Sequence, residues 1–164
     1  MRIRTILFLA ALVMGVMVAG PASAAGVDDG VGSTRAFTPQ TFTVELLPTA
    51  TGDQDGSGTA VLTVDLVSGT LCYDITVTGI DEPTEPAAGI GDAHIHSYAQ
   101  GGAIAVDLDT QFDAVAGTAD TYNAMNCVTA NRRVLVDILL HPELYYVNVH
   151  TVEFPGGAIQ GDLA

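Results

Sequence analysis

The stretch Tyr145-Tyr146-Val147-Asn148-Val149-His150-Thr151, followed after Val152-Glu153-Phe154 by Pro155-Gly156-Gly157-Ala158-Ile159-Gln160-Gly161-Asp162-Leu163-Ala164, decides how this chain folds. Two short runs with strand character flank a turn. Proline presets one backbone angle there, and Gly156 and Gly157 are expected to supply positive φ. The stretch therefore reads as a β-hairpin. Its second strand, Ala158 to Leu163, is expected to be integral to the sheet, so that truncating it unfolds the domain. The closest chemical partner of the hairpin lies far upstream, in Ala93-His94-Ile95-His96, where another histidine-bearing strand is expected.

Outward from there, the same alternation recurs. Phe42, Val44 and Leu46 alternate with Thr41, Thr43 and Glu45, the pattern of a half-buried strand that Pro48 ends. Gly52 to Gly58 is a tight polar turn. Its Asp53-x-Asp55 opening resembles a calcium loop but lacks the third acid and the distal glutamate. Ala60 to Leu66 and Leu71 to Thr78 form the clearest hairpin, turning at Ser68-Gly69, with Leu71, Tyr73, Ile75 and Val77 on one face and Cys72 on the other. Asp81 to Gly91, with Pro83 and Pro86, reads as a loop. Ala93 to Tyr98 and Ala103 to Leu108 are two further strands around Gln100-Gly101-Gly102. Asp109 to Ala130 carries no sustained period and reads as an excursion that contains Cys127.

Asn131 to Leu140 is predicted to be a helix, capped by Asn131 and stopped by Pro142, because Val134, Leu135, Ile138 and Leu139 fall together at helical spacing. A strand through Val134, Val136, Ile138 and Leu140 fits the same residues. Many short strands punctuated by turns, with one short helix at most, predict an all-β fold, a β-sandwich or small barrel.

Composition bounds the rest. Met1 to Ala24 has Arg2 and Arg4, an apolar run from Ile6 to Ala19 and the small-residue pattern Ala22-Ser23-Ala24, which predicts a secretory signal peptide cleaved near Ala24. Residues 25–36 read as a flexible lead-in and 37–164 as one β domain, with no membrane span in the mature chain. Once the leader is removed, three arginines face nineteen acidic residues, a net charge of 3 − 19 = −16. Such a surface repels nucleic acid and favours cations or basic partners. The chain contains no lysine, which excludes Schiff-base chemistry. Its two cysteines, Cys72 and Cys127, are expected to form a disulfide after export. The bridge is expected to pin the Cys127 segment onto the outer face of the hairpin.

The blocks Leu71-Cys72-Tyr73-Asp74-Ile75, Ala93-His94-Ile95-His96, Pro142 with Tyr145 to Thr151, and Pro155 to Gly161, taken in that order, resemble the CHRD domain, named after chordin. The resemblance runs from about Phe37 to Leu163. Gln160 and Asp162 stand where Arg and Gln are expected, which bears on the surface chemistry of that end strand. The resemblance implies an extracellular immunoglobulin-like β module, found in bacteria as a stand-alone secreted protein, with no established enzymatic activity.

The histidines point to a second class of function. His94 and His96, two apart on a strand, project to one face about 7 Å apart, a chelating spacing. His150 would supply a third nitrogen for copper or zinc. The His-x-His block is similar to that of copper-zinc superoxide dismutases, yet no further histidine is placed to bridge two metals, since His141 adjoins Pro142 at the expected helix end. In the competing structural reading His94, His96, Asn148 and His150, with Thr151 in support, form a buried hydrogen-bond network. No serine or cysteine nucleophile motif and no distinguished carboxylate pair is present, so no catalytic residue is assigned. Two functions follow: a secreted, non-catalytic module that binds an extracellular protein or cell-surface polymer, or a small secreted copper or zinc protein.

Overall fold

The computed structural model describes residues 38–83 and 92–164. The expected leader and lead-in, Phe37, and most of the Asp81–Gly91 loop lie outside these residues. Nine strands form one continuous antiparallel sheet curled into a half-barrel, with a single α-helix among the described residues, so the all-β expectation with one short helix holds.

The chain first runs through three long strands, β1 (Gln40–Pro48), β2 (Ser57–Asp65) and β3 (Thr70–Thr78). Their alternation works as read: Val44, Leu46, Leu62, Val64, Leu71, Tyr73, Ile75 and Val77 are buried together, while the threonines and acidic residues between them face outward. At about 1.5–3 kcal/mol for each large apolar side chain buried, this face supplies much of the driving force for folding. The β2–β3 turn ends on Gly69, whose φ of +74° favours glycine.

Two middle strands carry the histidine pair and its neighbour, β4 (Ala93–Ser97) and β5 (Ala103–Asp107), followed by the two-residue β6 (Asp113–Ala114) and by β7 (Thr121–Thr129). The excursion expected over Asp109–Ala130 is therefore corrected. Its second half is a nine-residue strand, and Cys127 lies directly opposite Cys72 in the β3–β7 ladder. The Cys72–Cys127 disulfide is formed. It joins neighbouring strands of one sheet on the face away from the core instead of holding a loose segment outside it.

Helix α1 (Arg132–Leu140) settles the helix-or-strand alternative. Asn131 caps it by accepting from the Arg133 backbone N–H at 2.9 Å. Leu135 and Ile138 are fully buried, and the Arg132 guanidinium donates to the carbonyls of Leu66 and Val67, tying the helix start to the β2–β3 turn.

The terminal hairpin forms as β8 (Tyr145–Val149) and β9 (Ile159–Asp162). The order across the sheet is β5-β4-β8-β9-β1-β2-β3-β7-β6. Strand β9 pairs with β8 on one side and with Leu47 and Pro48 of β1 on the other, so it closes the β4–β8 half onto the β1–β3 half. No helix among the described residues is long and apolar enough to cross a membrane.

Candidate metal centre

Strand β4 lies between β5 and β8, and all five of its residues are buried. Ile95 turns to the core, so the period of two places His94 and His96 together on the other face. In the β4–β8 ladder Ala93 opposes Val149, His94 opposes Asn148 and His96 opposes Tyr146. His150 thus emerges just beyond the end of β8, beside His94, and its backbone N–H donates to the Asp92 carbonyl at 2.8 Å.

The three rings meet. One ring nitrogen from each lies within 4.8 Å of those of the other two, and the side chains are only 1% (His94), 8% (His96) and 6% (His150) exposed. His141 stays apart. It caps the end of α1 on the surface, with its Nδ1 3.7 Å from Glu143.

The hydrogen bonds fix the tautomers. His96 Nδ1 lies 2.8 Å from the Gly102 carbonyl, and His150 Nδ1 lies 3.1 Å from the Pro155 carbonyl. A carbonyl oxygen only accepts, so each Nδ1 carries the proton and each Nε2 presents a lone pair. His150 Nε2 is 3.1 Å from His94 Nδ1, so His94 donates that bond and its own Nε2 is left bare. The Nε2 atoms of His94 and His96 are buried with no hydrogen-bond partner. An orphaned buried acceptor costs about 1–3 kcal/mol.

Turn chemistry places the two carbonyls. After β4 the chain makes one 3₁₀ turn and passes through Gly101 and Gly102, at φ +68° and +82°, which aims the Gly102 carbonyl back at His96. The loop from Thr151 to Ala158 folds over the other side: Thr151 Oγ1 accepts from the Phe154 N–H at 3.1 Å, and Asn148 Nδ2 donates to the Gly156 carbonyl at 3.2 Å. Asn148 and Thr151 therefore hold the loop that carries the Pro155 carbonyl. Neither was legible in that role from residue type alone.

One expectation about this loop is corrected. Gly157 has φ +116°, and a Cβ there would sit 2.1 Å from Asn148 Oδ1, whereas Gly156 is not left-handed and a Cβ on it would meet nothing within 4 Å. Gly157→Val is accordingly expected to destabilise the fold by about 1–3 kcal/mol. Gly156→Val should leave the melting temperature nearly unchanged, and equal effects from the two would show that the loop is misread.

Burial, reinforced by the neighbouring His150 ring, pushes the His94 imidazole down to about 4. Burial also lowers His150, against the hydrogen bond to Pro155. Both rings stay neutral in the fold, as metal ligation requires. Between pH 6.5 and about 4 the unfolded chain takes up a proton at position 94 that the folded chain does not, so stability is lost as pH falls through that window. For the metal-free protein the loss from His94 is expected to be on the order of 3 kcal/mol. Urea midpoints at stepped pH check it, because His94→Gln should flatten that part of the profile.

The sequence pattern of the CHRD domain matches residues 40–163. The chain belongs to the CHRD domain family. No match appears among curated proteins or among solved structures. The CHRD assignment spans every strand described above, including β4 and β8 with the three histidines, so the cluster lies inside the family domain and not on an appendage to it.

Proposed function

We propose that this chain is an exported CHRD protein that binds one divalent transition metal ion, Cu(II) or Zn(II), through His94, His96 and His150. The observation that carries the reading is the convergence of one nitrogen from each ring within 4.8 Å, in a buried pocket where two of the rings are already oriented by backbone carbonyls. Ligating histidines commonly donate their second N–H to a carbonyl or carboxylate, which fixes the ring and raises its basicity. Gly102 and Pro155 supply that arrangement for His96 and His150.

Nitrogens bound to one tetrahedral ion at 2.0–2.1 Å lie about 3.3 Å apart. The His94–His150 contact, 3.1 Å, is already near that separation, so the two rings need little movement. The proton that His94 shares with His150 must leave the contact, by release or by transfer to Nε2. Three protein ligands leave a coordination position for an outside molecule.

A purely structural network is favoured by one observation, the His94–His150 hydrogen bond itself. That reading leaves the buried Nε2 lone pair of His96 without a partner, whereas an ion bound by His96 Nε2, His150 Nε2 and His94 Nδ1 takes it up. Export is supported by the leader pattern of Met1 to Ala24 and by the Cys72–Cys127 disulfide, which suits an oxidising compartment. The acidic chain raises local cation concentration without choosing among cations.

Calorimetric titration of demetallated protein with Cu(II) and Zn(II), alongside His96→Ala, is the test. One ion per chain with binding abolished in the variant is the expected result. Absent binding, or weak binding that the variant leaves unchanged, would assign the rings to the structural network.

A further inference from the structure

Strand register continues outward from the cluster. His96 opposes Tyr146 across β4–β8, and Tyr146 opposes Asp162 across β8–β9. The Tyr146 ring lies nearly parallel to the His96 imidazole, 5.0 Å between centroids at 12°. Tyr98, which follows β4 and starts the 3₁₀ turn, packs on Tyr146 with centroids 4.5 Å apart at 31°. Its hydroxyl donates to Asp162 Oδ1 at 2.7 Å, which fixes the outer ring across the row. The imidazole is buried, Tyr146 is half-buried and Tyr98 is 46% exposed, so three rings in contact lead from the cluster to solvent.

We infer that the His96–Tyr146–Tyr98 stack is an electron path by which copper held at the histidine cluster exchanges one electron with a small cationic donor at the surface. The inference rests on the metal-binding reading with copper as the ion. Electron tunnelling decays steeply with distance and is carried better through π-systems in contact than across saturated groups. The ligand rings are almost fully buried while Tyr98 is 46% exposed, so the Tyr98 ring gives an outside reagent a surface contact that is joined ring to ring with the cluster. The acidic chain, and Asp162 at the outer ring, favour a positively charged donor. In the step, one electron leaves the donor and Cu(II) becomes Cu(I). No bond to either tyrosine forms or breaks, and both remain phenols with their protons in place.

Stopped-flow reduction of the Cu(II)-loaded protein by hexaammineruthenium(II), a cationic donor that cannot ligate the copper, reads the path directly. Tyr98→Leu and Tyr146→Leu are expected to slow the loss of Cu(II) absorbance by about tenfold or more, with Tyr98→Phe within about threefold of wild type. The Cu(II) paramagnetic resonance spectrum and midpoint potential of the Tyr98 variants should match those of wild type, which separates a lost path from a disturbed site. Reduction of Tyr98→Leu as fast as wild type, with that spectrum unchanged, overturns the path and leaves the metal centre standing. A wild-type protein that takes up no Cu(II) overturns the metal centre, and the path with it.

Discussion

A chain cut just before Ala158 is expected to have no cooperative thermal transition and to show the circular dichroism of an unfolded protein. Strand β9 is the link between the two halves of the sheet, and its removal strips β8 of one neighbour and frees Leu47 and Pro48 of β1. The cut also removes Ile159, fully buried, and Leu163, 6% exposed. Each contributes about 1.5–3 kcal/mol by burial alone. Added to the lost ladder on both edges, this approaches the whole stability of an ordinary domain, about 5–15 kcal/mol. Gly161→Val probes the same link by a point change. A Cβ at Gly161 would lie 2.1 Å from the Glu45 carbonyl and 2.7 Å from Val44, so β1 and β9 cannot keep their approach. A large fall in melting temperature is expected for the point variant. A truncated chain that melts cooperatively near the wild-type temperature would mean that the two halves hold together without β9.

The second large effect is expected from the disulfide. Cys72 and Cys127 are 55 residues apart, and in the loop-entropy description closing a segment of that length stabilises the fold by about 4 kcal/mol. Because the two residues already oppose each other across β3 and β7, their loss removes no core packing: Cys72 is half-buried and Cys127 exposed. The double variant Cys72→Ser/Cys127→Ser should therefore fold to the same structure with a much lower urea midpoint and an unchanged dependence of metal uptake on His96. Equal midpoints for the oxidised wild type and the double variant would remove the bridge from the account of stability.

Much of this architecture was legible in the sequence because one face of each strand is dry. Val44 and Leu46, Leu62 and Val64, and Leu71 through Val77 alternate cleanly since their partners on the other face meet water. Strand β7 escaped for the opposite reason. Among its nine residues only Ala124 is buried; Tyr122 and Val128 pack partly against the core, but Asn126, in step with them, is exposed, so no apolar period shows next to the sheet edge. The Asn131 cap and the Pro142 stop marked α1 because each acts locally on the backbone.

The site was half visible. The spacing of His94 and His96 announces two rings on one face, but the arrival of His150 depends on the β4–β8 register, which no local pattern records. The groups that orient the rings are backbone carbonyls of Gly102 and Pro155. A carbonyl has no residue-type signature, and only the turn-forming character of Gly101-Gly102 and Pro155 hinted that the backbone changes direction there. The ring stack likewise depends on that register, which brings Tyr146 against both His96 and Tyr98.

The central claim is that the three histidines hold one ion, and anomalous diffraction from crystals of the protein grown with Cu(II) tests it most directly. A single peak is expected among His94, His96 and His150, about 2.0–2.1 Å from one nitrogen of each ring. The Nδ1 atoms of His96 and His150 should still face the Gly102 and Pro155 carbonyls. A map with no peak there, and with His94 still bonded to His150, would contradict the claim.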